Sequence, residues 1–224
     1  MAREAVHVVA MLVLTFSTGV ADAVRYLGLD RVFTGNMTGN VVILGMGVSG
    51  TTDLPVGGPL IALAAFMAGA SLGGRVTRTA APDSWRLTST VLLCGVGLVF
   101  TIAALILAVE DVEQGTALAF TLTALLAAAM GLQAAVARHI AVKDVTTVVV
   151  TSTITGLAAD SRFGAALENH PWLRRSAAVL LIAAGAGAGA AILTVSLALA
   201  VAVPAVLTFA VAVVGGGMSS RSAT

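Results

Sequence analysis

Charge is what this chain lacks. Of its 224 residues, 10% are Asp, Glu, Lys or Arg and 58% are hydrophobic, where a soluble domain carries about 25% charged residues. The deficit excludes an ordinary water-soluble globule. Cysteine is almost absent too. Cys94 stands alone, so no intrachain disulfide can form, and inside an apolar run it reads as a small packing residue. His7, His139 and His170 share no spacing, which argues against a metal site. A net charge of +1 leaves no basic footprint for nucleic acid. The sequence also lacks a nucleophile–base pair, paired carboxylates beside a histidine, and a phosphate-cradling loop. The glycine-rich run AAGAGAGAA at 183–191 lies within an apolar stretch and no lysine follows it. Neither an enzyme nor a bound cofactor is therefore expected.

Long apolar runs are what the chain has instead. A membrane-spanning helix needs roughly 20 mostly apolar residues. Leu54–Gly74, Leu87–Val109 and Gln114–Ala137 meet that length. Ala5–Ala21 is shorter but strongly apolar, and Ser176–Ser220 is long enough for two helices and a turn. These runs do not alternate as barrel strands do. The expectation is one all-α, polytopic membrane domain over residues 1–224 with six transmembrane helices. Arg3, the apolar run and ADA at 21–23 have the outline of a signal peptide, but Asp22 falls inside the cleavage site. An uncleaved first helix is expected.

Six crossings with a cytoplasmic amino terminus leave ten Lys/Arg inside and only Arg25 and Arg31 outside, a strong positive-inside bias. Both termini are then cytoplasmic, and Trp85 and Trp172 sit as interfacial rings. A rival lets the uncharged Val32–Thr52 cross as a seventh span, with only Arg3 outside, so charge does not separate the two. An internal repeat favours six. Gly19-VADA is echoed by Gly131-LQAA, TGNMTG at 34–39 by TSTITG at 151–156, and GASLGG at 69–74 by GAGAGA at 185–190. The repeats run over residues 5–109 and 114–217. Each carries a short polar segment, and the second of these, Val145–Ala159, is too short to cross. Three crossings per half force the halves into opposite orientations, the inverted-topology arrangement of many transporters.

The stretch TGNMTGN at 34–40 stands out in so apolar a chain. Irregular backbone at membrane depth is tolerated only where protein or a wet cavity satisfies it. Placed on a helix, Thr34/Thr38, Gly35/Gly39 and Asn36/Asn40 are each four apart on shared faces. Two uses follow. The polar side chains either staple helices together or line a central path for a small polar solute or ion. Asn36, Thr38 and Asn40 would then face Thr151, Thr153 and Thr155, with Asp22 and Gln133 beside them. Asp22 is an intramembrane charge, which by default points to function, although Arg25 three residues on offers a local ion pair. Asp30 and Asp144 suit caps of the short segments, Asp160 suits solvent, and Tyr26 suits the interface.

GVADAVRYLGLDRVFTGNMTGNVVILG at 19–45 resembles the signature of the YoaK-like family of bacterial integral membrane proteins of unknown function. GLQAAVARHIAVKDVTTVVVTSTITGLAAD at 131–160 is similar to a second stretch of that family. The family pattern implies an Asn where this chain has Ala134. The resemblance implies a multi-pass protein of the bacterial cytoplasmic (inner) membrane and supplies no substrate. The expected activity is transporter-like passage of a small polar solute or ion. The alternatives are a channel, or a structural, partner-binding membrane protein. The expected partners are the lipid bilayer and that solute, and the small-residue seams Gly35/Gly39 and Ser152/Gly156 could also serve a homodimer.

Overall fold

The computed structural model describes residues 2–78, 85–140, 150–161, 164 and 171–220. Its described residues form helices α1 (Ala2–Gly28), α2 (Met37–Val48), α3 (Gly57–Thr77), α4 (Leu87–Val109), α5 (Ala117–Ile140), α6 (Val150–Ala159), α7 (Trp172–Leu193) and α8 (Leu197–Ser220). Six of them, α1, α3, α4, α5, α7 and α8, are long and apolar enough to cross a membrane. The 12 residues of α2 rise about 18 Å at 1.5 Å each, well short of a hydrocarbon core of about 30 Å. The stretch that could have been a seventh span is therefore broken. Its first residues are irregular and only its second part is helical.

The first span is longer than its apolar run implies, Ala5–Gly28 rather than Ala5–Ala21. The helix continues through Asp22 and Arg25 because both side chains find partners inside the protein. Arg25 is thus a buried residue of α1, not part of an outer basic loop. The turn after it passes through Arg31 at φ 52, a left-handed conformation uncommon for a residue with a side chain.

Buried Val20, Val24, Val96, Phe100, Leu122, Leu126, Met130 and Val201 join α1, α4, α5 and α8 into one core. The windows of α1 and α5 are each 56% buried, against 22% for α3 and 17% for α7, so α1 and α5 are inner helices and α3 and α7 are outer ones. The outer helices dock through close backbone approaches. Gly19 of α1 faces the backbone of Ile182 and Ala186 on α7, and Gly185 of α7 faces Phe16. Gly131 of α5 faces the backbone of Phe66 and Ala70 on α3, and Gly69 of α3 faces Ala128. A Cβ at any of these four glycines would run into backbone, which is why small residues occupy helix seams in lipid. In each seam one helix belongs to each half of the chain: α1 seats α7, and α5 seats α3.

Trp85 is buried rather than interfacial. Its indole Nε1 donates to Thr90 Oγ1 at 2.9 Å, and its ring stacks on His7 at 6.0 Å. Trp172, at the start of α7, is exposed. Lys143, Asp144, Thr146, Thr147 and His170 lie outside the described residues.

Candidate functional site

The site is built on one face of α1. Thr18 and Asp22 are four apart and so share a side of the helix. After Gly28 the chain turns and runs back along α1. A Cβ placed at Gly35 would lie 3.0 Å from Thr18 Cγ2 and 3.2 Å from Met130 Cε. Thr18 and Met130 both lie near the middle of 24-residue spans, so the polar loop reaches mid-depth before α2 carries the chain back toward Ser49. A side chain at Gly35 would crowd the ends of Thr18 and Met130 and rest against Asp22 Oδ1 at 3.5 Å.

Asp22 holds this loop open. Its Oδ1 accepts from Thr34 N at 2.8 Å, Gly35 N at 2.7 Å and Thr34 Oγ1 at 3.2 Å. The carboxylate sits in the concavity of successive amides just before a helix, where a negative charge is favoured. It makes no ion pair with Arg25. Arg25 instead pairs with Asp30 at 3.3 Å and donates to Thr123 Oγ1. Asp30 also accepts from Gly115 N at 3.4 Å, so it ties the α1 turn to α5 and does not cap α2. The cap of α2 is Asn36, whose side chain accepts from Gly39 N at 3.1 Å.

Because α2 starts at Met37, Thr34, Gly35 and Asn36 are not helical, and the three matched pairs of TGNMTGN do not form shared helix faces. Hydrogen bonds from Thr34 and Gly35 to Asp22 keep these residues out of the helix. The two asparagines do different work. Asn36 caps and is exposed. Asn40 is buried and clamps the backbone of Phe33, accepting from its N–H at 2.9 Å and donating to its carbonyl at 2.7 Å.

A cavity of about 1080 Å³ opens beside this loop. Asp22, Asn36, Thr38 and Thr151 line it, together with Tyr26 and Phe33. The structure thus brings both short helices and Asp22 to one space. Tyr26 faces that space and stacks on Phe33 at 4.8 Å between ring centroids. Asn40, Gln133, Thr153 and Thr155 are not among the lining residues. Gln133 is buried between helices, donating to Thr18 Oγ1 at 3.5 Å and accepting from Thr208 Oγ1 at 3.4 Å, which staples α5 to α1 and α8. Thr153 is the buried residue of α6, and Thr155 bonds back to the Thr151 carbonyl at 2.9 Å. Asp160 is held by Arg175 at 2.6 Å. Thr18, Phe33 and Phe66 join the cavity without having been singled out. For Thr18 the signal was present, as its spacing to Asp22; for the two aromatic residues there was none.

Helices, core and cavity define a multi-pass α-helical membrane protein whose polar loop is folded back to mid-depth. Comparison places it further. Residues 10–214 match the family described as "Protein of unknown function (DUF1275)", and the chain belongs to that family. It is similar to the "UPF0700 transmembrane protein YoaK" of Bacillus subtilis (strain 168), 25% identical over 204 residues, covering 88% of this chain and 89% of that protein. No solved structure matches it.

Proposed function

We propose that this protein passes a small polar solute or ion across the bacterial cytoplasmic membrane through the cavity beside Asp22. The observation that carries this reading is the convergence of Asp22, Asn36, Thr38 and Thr151 on one space at mid-depth. Irregular backbone at such depth is expected where it is buried or lines a cavity, and transporter sites gather at broken segments near the midplane. The reading takes the chain as two inverted halves, residues 5–109 and 114–217, with both termini cytoplasmic. The matched seams support it: Gly19 of α1 against α7 corresponds to Gly131 of α5 against α3, and Gly185 of α7 against α1 to Gly69 of α3 against α5.

Purified protein in proteoliposomes tests the proposal. Currents or uptake are recorded on concentration jumps of sodium, potassium and ammonium chloride, small amines, carboxylates and polyols. At least one class should cross faster than in empty vesicles, and Asp22→Asn and Thr151→Val should slow it. Saturation with counterflow marks a transporter, and non-saturating flux without counterflow marks a channel. Flux equal to that of empty vesicles for every class removes the proposal.

A further inference from the structure

Resting on that reading, we propose that the transported solute is a small amphiphilic organic cation, held by its charged head at Asp22 and by its apolar body against the aromatic and aliphatic wall. Size is the first reason. A bare ion with a few waters at about 30 Å³ each fills little of 1080 Å³, whereas pockets of about 300–1,000 Å³ suit organic ligands. The wall is the second. Phe33, Ile43, Phe66 and Ile182 line the same space as the polar group, the pattern of a pocket that buries an apolar body and orients it through a few polar atoms. Charge is the third. Asp22 is the acidic lining residue, and no Lys, Arg or His lines the cavity among the described residues.

The carboxylate also has bonding capacity to spare. The three hydrogen bonds from Thr34 and Gly35 fall on Oδ1 and the Asn36 backbone N–H also bonds the carboxylate, which still leaves an acceptor site on Oδ2. An ammonium head can reach Oδ2 and complete its shell with the hydroxyls of Thr38 and Thr151, which line the cavity. An organic anion of the same shape meets a negative charge that has hydrogen-bond donors but no cation beside it among the described lining residues, and at low dielectric that repulsion is strong. Sodium or potassium satisfies the charge but leaves the apolar wall unfilled.

The test uses full-length protein in nanodiscs, carrying Val150→Cys, at another residue lining the cavity, in a Cys94→Ser background. Protection of the new thiol from a maleimide is titrated with phenethylammonium, its anionic counterpart phenylacetate, neutral 2-phenylethanol, and sodium chloride. Phenethylammonium should protect at concentrations about tenfold or more below those needed for 2-phenylethanol, since a hydrogen bond to a charged group contributes roughly 1.5–3 kcal/mol. Phenylacetate and sodium should not protect. Asp22→Asn should erase the preference for the cation over the alcohol. Ala183→Trp should block all protection by filling the apolar side while leaving the Asp22 loop alone, so the idea remains testable if the Asp22 variant fails to fold. Equal protection by anion and cation, or protection by sodium alone, overturns this inference while leaving the transport proposal standing. So does a zwitterionic phospholipid that stays bound, seen by native mass spectrometry, and that phenethylammonium does not displace. Absence of flux for every class in vesicles removes the transport proposal itself.

Discussion

Two buried acids, one in α1 and one just past its end, do opposite jobs. Asp22 satisfies backbone amides, and Asp30 satisfies a guanidinium. Removing the first strands several donors at mid-depth. Asp22→Ala should cost about 1–3 kcal/mol for each donor left unpaired, whereas Asp22→Asn keeps an acceptor oxygen in place and should lose far less stability. Thermal unfolding in detergent orders the variants, and equal losses would show that the amides do not depend on this oxygen. Asp30→Leu should cost about 3–5 kcal/mol, because it leaves Arg25 charged and buried without its partner. Arg25 already has Nε and Nη1 without a hydrogen-bond partner, so it has little to fall back on. Arg25→Met combined with Asp30→Leu should recover most of that loss, as buried pairs replaced whole often do. Asp22 was legible in the sequence, since an acid inside an apolar run must find a partner. The identity of the partner was not, because amide direction depends on where α2 begins. Reading TGNMTGN as continuous helix paired Asn36 with Asn40, while the capping geometry separates them.

Helices pack here through glycine rather than through large interlocking side chains. Gly19→Ala and Gly131→Ala each place a methyl group against backbone of the opposite helix, which cannot rotate away as a side chain would. Each should lose about 1–3 kcal/mol, the usual cost of overpacking. The two losses should be similar if the seams are as alike as their contacts. Gly187→Ala, with open space around its Cβ position, should be near neutral. Unfolding midpoints for the three variants check the set. The six spans were readable from hydropathy alone, Leu87–Val109 to its ends, but the end of α1 was not. Apolar runs stop at the first charge, and α1 carries on for more than a turn past Asp22 because the bundle solvates its charges internally. The GASLGG and GAGAGA match, read as a repeat, holds one glycine of each seam, Gly69 and Gly185. Which helix each would seat lay beyond local sequence, because that choice is made by contacts between residues far apart in the chain, such as Gly69 with Ala128 and Gly19 with Ile182.

For the whole molecule, the decisive count is the number of crossings. Cysteines introduced at Arg31 and Thr52 in a Cys94→Ser background should label from the same side of the membrane with an impermeant maleimide, because the chain between them descends only to mid-depth and returns. Labelling from opposite faces would reinstate a seventh span. Residues Asp30 and Thr123, joined at 3.2 Å, close the same end of the bundle across the two halves. The cross-seating of α1 on α7 also sets a timetable for synthesis. At roughly 5–20 residues per second, the ribosome needs on the order of ten to thirty seconds after releasing α1 to deliver the helix that covers its Gly19 face. During that interval the Gly19 groove is open to lipid, to the translocon or to a chaperone. A truncated chain ending before Trp172 should therefore be a substrate for membrane quality control even though its first four spans are complete.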